Sequence, residues 1–119
     1  MEDMKRVNRS FHYAERLKSN LLLAMKVLDR VAELEGIELA GGIEAMRGIF
    51  NGLGTEIGIA RNHLASEEFT LAMTKVMEAE GHTDLHQFEK ARESLSEALS
   101  YITTLSVRYL TALKEKNLI

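Results

Sequence analysis

The chain has 119 residues, of which 45% are hydrophobic and 28% are charged, and it contains eight glycines but neither proline nor cysteine. This length fits a single domain covering residues 1–119, and the apolar content is sufficient for a buried core. The absence of proline favours long helices over an all-β domain, and the absence of cysteine excludes disulfides, thiolate metal ligands and a cysteine nucleophile. The net charge of −3 is too small to indicate a nucleic-acid-binding protein by itself.

The first helix is predicted over residues 3–35, a stretch without glycine or proline. Apolar residues recur there at steps of three or four, which places them on one helical face. The residues of this face are Val7, Phe11, Ala14, Leu17, Leu21, Ala24, Leu28 and Val31. Asp3 is a suitable N-cap, and Gly36 is a suitable left-handed residue to end the helix.

A short joint is predicted over residues 36–42, and a second helix over residues 42–65. The apolar residues of this helix follow an unbroken alternation of three- and four-residue steps, which is typical of a seam packed against other helices. The seam consists of Ile43, Met46, Phe50, Leu53, Ile57, Ala60 and Leu64.

The seam ends before Glu67, because its spacing requires an apolar residue at position 67 and glutamate is charged. A new apolar face made of Phe69, Ala72, Met73 and Val76 begins there. We therefore expect Ser66 to cap a separate third helix over residues 67–80. One long helix that bends at this point is the alternative.

Gly81 and Thr83 mark the next predicted joint, with Thr83 as the N-cap of a last helix over residues 84–116. The seam of this helix comprises Phe88, Ala91, Leu95, Ala98, Ile102, Leu105, Tyr109 and Ala112. The sequence thus predicts an all-α fold, an antiparallel bundle of four helices that we expect to be dimeric. Two helices are predicted to be long, at about 3–35 and 84–116, and two shorter, at about 42–65 and 67–80.

Glycine is concentrated in the second predicted helix and the joint before it, since seven of the eight glycines lie between residues 36 and 58. Glycine inside a helix costs about 1 kcal/mol relative to alanine, so such a concentration needs a reason. One set forms a small-residue ridge away from the seam: Gly41, Ala45, Gly48 and Gly52. Such a ridge allows another helix to approach closely, and we expect a homodimer partner to cover it. Alternatively, residues 51–54 break the helix into a loop.

A row of small, weakly polar residues also runs beside the seam of the last helix. Its members are Ser96, Ser100, Thr103 and Val107. A helix with two packable faces lies between neighbours, either within one chain or across a dimer.

Histidines and carboxylates recur around the third joint at steps of four, four, three and four. These residues are Glu78, His82, His86, Glu89 and Glu93. On one continuous helix they would form a column of metal-ligand type, but the joint predicted at Gly81 interrupts it. We therefore expect neither a metal site nor a cofactor, and no set of residues indicates a catalytic site.

Basic residues are concentrated in the first helix and supply an alternative hypothesis. Arg6, Arg9, His12 and Arg16 form a candidate nucleic-acid face. Arg6 and His12 have five residues between them, which resembles the Arg-x(4–6)-His element of HEPN-type ribonuclease domains. That resemblance would imply an RNA-cutting site formed by residues of both protomers of a dimer. It covers only two residues, and Val7 stands where the family usually has a polar residue after the arginine. Pairing of this face with Glu89, Glu93 and Glu97 would instead favour a structural role.

The first residues are acidic where a signal peptide is basic, and the longest apolar run, residues 21–25, is far shorter than the ~20 residues of a membrane span. We therefore expect a cytoplasmic protein without a membrane partner. The function favoured by the sequence is a non-enzymatic, self-associating bundle that acts as a protein-interaction or scaffold module. The alternative is a nucleic-acid-binding or RNA-cleaving bundle that uses the basic first helix.

Overall fold

A computed structural model describes residues 4–64 and 66–117, nearly all of them helical and none in a strand. The helices are α1 (Met4–Val31), α2 (Gly36–His63), α3 (Glu67–Asp84) and α4 (Phe88–Glu115). They form an elongated body of 55 × 23 × 18 Å. The prediction of an all-α bundle of four helices is confirmed, and the chain breaks around Ser66 instead of bending.

The helices form an antiparallel ring. Each helix packs against the next one along the chain, and α4 closes the ring by packing against α1. Two polar contacts fix the register of α1 against α4. The Ser106 hydroxyl donates a hydrogen bond to Glu15, and Arg92 Nε lies 3.0 Å from Asp29 Oδ1. The beginning of α1 therefore lies beside the end of α4.

The apolar seams predicted from the sequence supply the core. All seven seam residues of α2 are buried, as are Leu17 and Leu21 of α1 and Leu95 and Ile102 of α4. Removal of these side chains from water supplies the main force that holds the helices together. Some predicted seam residues are only partly buried: Phe11, Met73, Phe88, Tyr109 and Ala112.

The predicted joint over residues 36–42 is wrong, because α2 already begins at Gly36 and has 28 residues, as many as α1 and α4. Only α3, with 18 residues, is short. The predicted end of the first helix at residue 35 is also wrong, because α1 ends four residues earlier, at Val31. Gly36 has the expected left-handed φ of +60° but is the first residue of α2 and does not end α1. Gly42 is helical and packed, since a Cβ there would lie 3.1 Å from methyl carbons of Val31 and Leu34. The alternative of a loop over residues 51–54 is also wrong, because α2 is continuous there.

The predicted joint at Gly81 and Thr83 lies within α3, which continues to Asp84. Thr83 is not an N-cap: its side chain is 1% exposed, and its hydroxyl donates to the Ala79 carbonyl oxygen at 2.8 Å. This bond satisfies the hydroxyl inside the helix, so a buried threonine is tolerated there. The turn falls four residues later than predicted, and α4 begins at Phe88.

Two predicted caps have different outcomes. Ser66 occupies the position before α3 in an extended conformation, but its hydroxyl donates to the carboxylate of Glu68 and accepts no hydrogen bond from a helix N–H group. Asp3, the predicted cap of α1, lies outside the described residues.

Candidate functional site

The glycine ridge, defined as Gly41, Ala45, Gly48 and Gly52, lies on the side of α2 that faces away from the core. All four residues are exposed. A Cβ atom built on any of the three glycines would have no neighbouring atom within 4 Å. No described part of this chain therefore covers the ridge.

Large apolar side chains border the glycine ridge. Ile37 and Ile59 lie beyond its two ends and are 92% and 47% exposed. Leu23 of α1 and Met77 of α3 flank it and are 58% and 66% exposed. We call these four residues together with the glycine ridge the α2 face.

Shallow grooves connect the α2 face to its two neighbouring helices. A groove of about 260 Å³ on the α1 side contains Leu23, Ile49 and Gly52 in its lining. A second groove, of about 280 Å³, lies on the α3 side and contains Thr55 and Met77. The apolar surface of the α2 face is therefore wider than one helix.

The glycines of α2 serve two different purposes. Gly54 and Gly58 face α3, where added Cβ atoms would lie 3.9 and 3.5 Å from the side chain of Met73. These two glycines belong to the packing within the chain. The glycines of the ridge make no such contact. Packing within the described part of the chain therefore does not explain them.

The small row predicted on α4 is also exposed, but its chemistry differs from that of the ridge. Ser96 and Ser100 are exposed and Thr103 is partly exposed. Val107 supplies the large apolar side chain of this row and is 57% exposed. Three hydroxyl groups can hydrogen-bond to water, so this row does not need a protein partner.

A basic pocket of about 420 Å³ lies where the beginning of α1 meets the end of α2. Its lining comprises Arg6, Arg9, Tyr13, Ile59, Ala60, His63 and Leu64. Arg6 and Arg9 form no ion pair with any residue that the structure describes.

The predicted nucleic-acid face is divided by the structure. Arg6 and Arg9 share the pocket with His63, whereas Arg16 and His12 do not line it. Arg16 lies 5.0 Å from the Tyr13 ring centroid and 3.8 Å from a carboxylate oxygen of Glu56.

His12 instead packs against Phe11, with 5.5 Å between the ring centroids. Sequence reasoning missed His63 because it lies on another helix, far from Arg6 along the chain. The only available signal was the antiparallel arrangement, which places the end of α2 beside the start of α1.

In the described part of the chain, the acids at the start of α4 form no ion pair with Arg6, Arg9 or Arg16. Asp29 pairs with Arg92, so this part of α4 lies beside the far end of α1. Glu97 pairs instead with Lys75, at 2.8 Å. Charge pairing within the described part of the chain therefore does not account for Arg6 and Arg9.

The candidate metal column is divided between two helices by the turn at residues 85–87. His82 Nδ1 lies 2.9 Å from the side-chain oxygen of Gln87, and the ring of His86 stacks on Phe88 with centroids 5.9 Å apart. Within residues 4–64 and 66–117, no three His, Asp or Glu side chains are grouped so that they could hold a metal ion.

Comparisons with protein-family models, with curated proteins and with solved structures found no match to this chain. Among the helices described, none combines the length and apolar character that crossing a membrane requires.

Proposed function

We propose that this protein self-associates through the α2 face and acts as a non-enzymatic interaction or scaffold module. The observation that carries the proposal is an uncharged stripe along the outward side of α2, beside which the exposed Glu44 is paired with Arg47. The stripe consists of Ile37, Gly41, Ala45, Gly48, Gly52, Thr55 and Ile59. The outward side of a surface helix ordinarily carries charged and polar residues. An uncharged stripe with exposed apolar residues favours burial against a partner.

The arrangement of the α2 face favours a second copy of the same chain as that partner. Gly48 lies midway between Ile37 and Ile59, and the other stripe residues between them are small: Gly41, Ala45, Gly52 and Thr55. A two-fold axis beside Gly48 would pack two α2 helices antiparallel, with Ile37 of one protomer near Ile59 of the other. A two-fold interface requires such a self-complementary pattern.

Charges at the two ends of α2 support the antiparallel orientation. Glu35 and Glu38 lie at its start, and Arg61 lies in its last turn. An antiparallel pair would bring the acidic start of each helix beside the basic end of the other. A parallel pair would bring like charges together, which is unfavourable.

The glycine ridge also fits the energetics of such a contact. Without side chains at Gly41, Gly48 and Gly52, two backbones can approach closely and gain dispersion contacts over a long stretch. Leu23 and Met77, on either side, would add apolar area to the interface. Glycines that lower the stability of an isolated helix would thereby raise the stability of the dimer.

A Gly48→Glu substitution tests the proposal by sedimentation equilibrium. We expect the wild-type protein to have twice the chain mass of 13.4 kDa at micromolar concentrations and the variant to have that of a single chain. The two-fold axis would bring the two introduced carboxylates together in a desolvated contact, which is strongly unfavourable. Gly48 is exposed and helical, so glutamate should preserve or raise the stability of each chain.

Ser100→Glu is the matched control, because Ser100 is exposed on α4, which lies diagonally across the bundle from α2. This variant should keep the wild-type mass. A monomeric wild type, or dissociation by Ser100→Glu and not by Gly48→Glu, would contradict the proposal.

A further inference from the structure

We propose that the basic pocket binds a small organic anion, a carboxylate or phosphate attached to an apolar or aromatic group. The pocket has about 420 Å³, which is within the range of small-molecule sites in proteins. Its basic side chains and its apolar surface are contributed by different residues. A ligand must therefore have both kinds of group to use the whole pocket.

The anionic group is expected to bind the two arginines. Arg6 and Arg9 are one helical turn apart on α1, so their guanidinium groups can reach the same ligand. Each guanidinium presents several N–H donors in a plane and can bind a carboxylate or phosphate with two parallel hydrogen bonds. His63, from the end of α2, supplies a further ring nitrogen on the opposite wall.

The apolar group is expected to pack against the other side of the pocket. Ala60 and Leu64 line it and are buried, while Ile59, which also belongs to the α2 face, is 47% exposed. The Tyr13 hydroxyl donates a hydrogen bond to the Glu56 carbonyl oxygen at 3.0 Å, which fixes the ring as a wall before any ligand binds. A wall held in place lowers the entropy cost of binding.

Among residues 4–64 and 66–117, no carboxylate pairs with either of the two arginines. Glu56, whose carbonyl oxygen binds the Tyr13 hydroxyl, has a carboxylate that accepts hydrogen bonds from Asn20 at 3.1 and 3.3 Å. It also lies near Arg16. No carboxylate that the structure describes therefore competes with a ligand for the donors of Arg6 and Arg9.

Calorimetric titration with three probes tests this assignment: 2-naphthyl phosphate, 2-naphthol and inorganic phosphate. We expect 2-naphthyl phosphate to bind at least tenfold more tightly than either of the other two probes, because only it has both groups. Arg6→Gln and Arg9→Gln should each weaken its binding at least tenfold. Arg16→Gln is the matched control and should leave the affinity unchanged, since Arg16 does not line the pocket.

The assignment is wrong if 2-naphthyl phosphate does not bind at millimolar concentration or if inorganic phosphate binds equally well. A ten-nucleotide oligouridylate provides a further comparison. The pocket assignment is overturned if this oligonucleotide binds, if 2-naphthyl phosphate does not displace it, and if Arg6→Gln and Arg16→Gln weaken its binding equally. The basic residues would then contact a nucleic acid. The masses of the variants, measured separately, distinguish this outcome from a failure of the proposed dimer.

Discussion

The carboxylate of Glu68 joins the start of α3 to α4 through Arg108, whose Nη2 atom lies 2.7 Å from Glu68 Oε1. This hydrogen bond and a second one from the Ser66 hydroxyl lower the pKa of Glu68 to about 2, from an ordinary value of 4.5. A lowered pKa in the folded state means that the ionised carboxylate stabilises the fold at pH values above 4.5. The contribution is lost as the pH falls from 4.5 towards 2.

We expect Glu68→Gln to lower the free energy of unfolding at pH 6.5 by no more than about 2 kcal/mol, because Arg108 is 56% exposed and water screens the pair. At pH 2.5 the difference between the variant and wild type should largely disappear. Urea unfolding at the two pH values measures this change. Glu67→Gln, at an exposed neighbouring position, is the control and should show little effect at either pH.

Substitutions at Thr83 distinguish its buried helical position from the N-cap role predicted for it. Thr83→Val should be tolerated within about 1 kcal/mol, because valine has the same shape and the hydroxyl forms only a local bond to Ala79. Thr83→Asp should destabilise by at least about 3 kcal/mol, because it buries a charge. An N-cap would give the opposite order in thermal or urea unfolding, since aspartate is a good cap and valine a poor one.

At the scale of the helices, the sequence predicted which residues face the core better than it predicted where helices end. The seam of α2 was correct throughout because burial imposes a period that local sequence displays. The boundaries predicted at Gly42 and Thr83 are wrong, at Gly42 because of packing between segments and at Thr83 because of a local hydrogen bond. Gly42 packs against Val31, and the Thr83 hydroxyl donates a hydrogen bond to the Ala79 carbonyl oxygen. Both residues are of types that commonly occur in joints, yet both remain helical here.

Two glycines on the inward side of α2 should respond differently to alanine. Gly58→Ala should raise the free energy of unfolding by about 0.5–1 kcal/mol, because alanine favours the helix and its Cβ would lie at an ordinary 3.5 Å from Met73 Cε. Gly42→Ala should lack this gain or destabilise the protein, because its Cβ would lie 3.1 Å from Val31 Cγ1, and Val31 is buried and β-branched. Urea unfolding of both variants measures the difference. Equal stabilisation of the two variants would show that Val31 moves aside without cost.

At the scale of the whole molecule, the α2 face and the basic pocket have different origins. The ridge Gly41, Ala45, Gly48 and Gly52 was recognisable in the sequence because its spacing repeats along one helix. The pocket was recognisable only in part: Arg6 and Arg9 are close in sequence, but His63 comes from the neighbouring helix. Contacts between distant segments depend on how the helices pack, which local spacing does not reveal.

Disulfide trapping at Gly48 tests the proposed two-fold dimer most directly, because the natural chain has no cysteine. A two-fold axis beside Gly48 would place the two cysteines of a Gly48→Cys dimer near the 4.4–6.8 Å Cα separation that a disulfide needs. Under mild oxidation at micromolar concentration, we expect this variant to run as a dimer on a non-reducing gel and as a monomer after reduction. Ser100→Cys, treated identically, should remain monomeric on the gel. Equal cross-linking at both positions, or none at position 48, would contradict a two-fold contact through the α2 face.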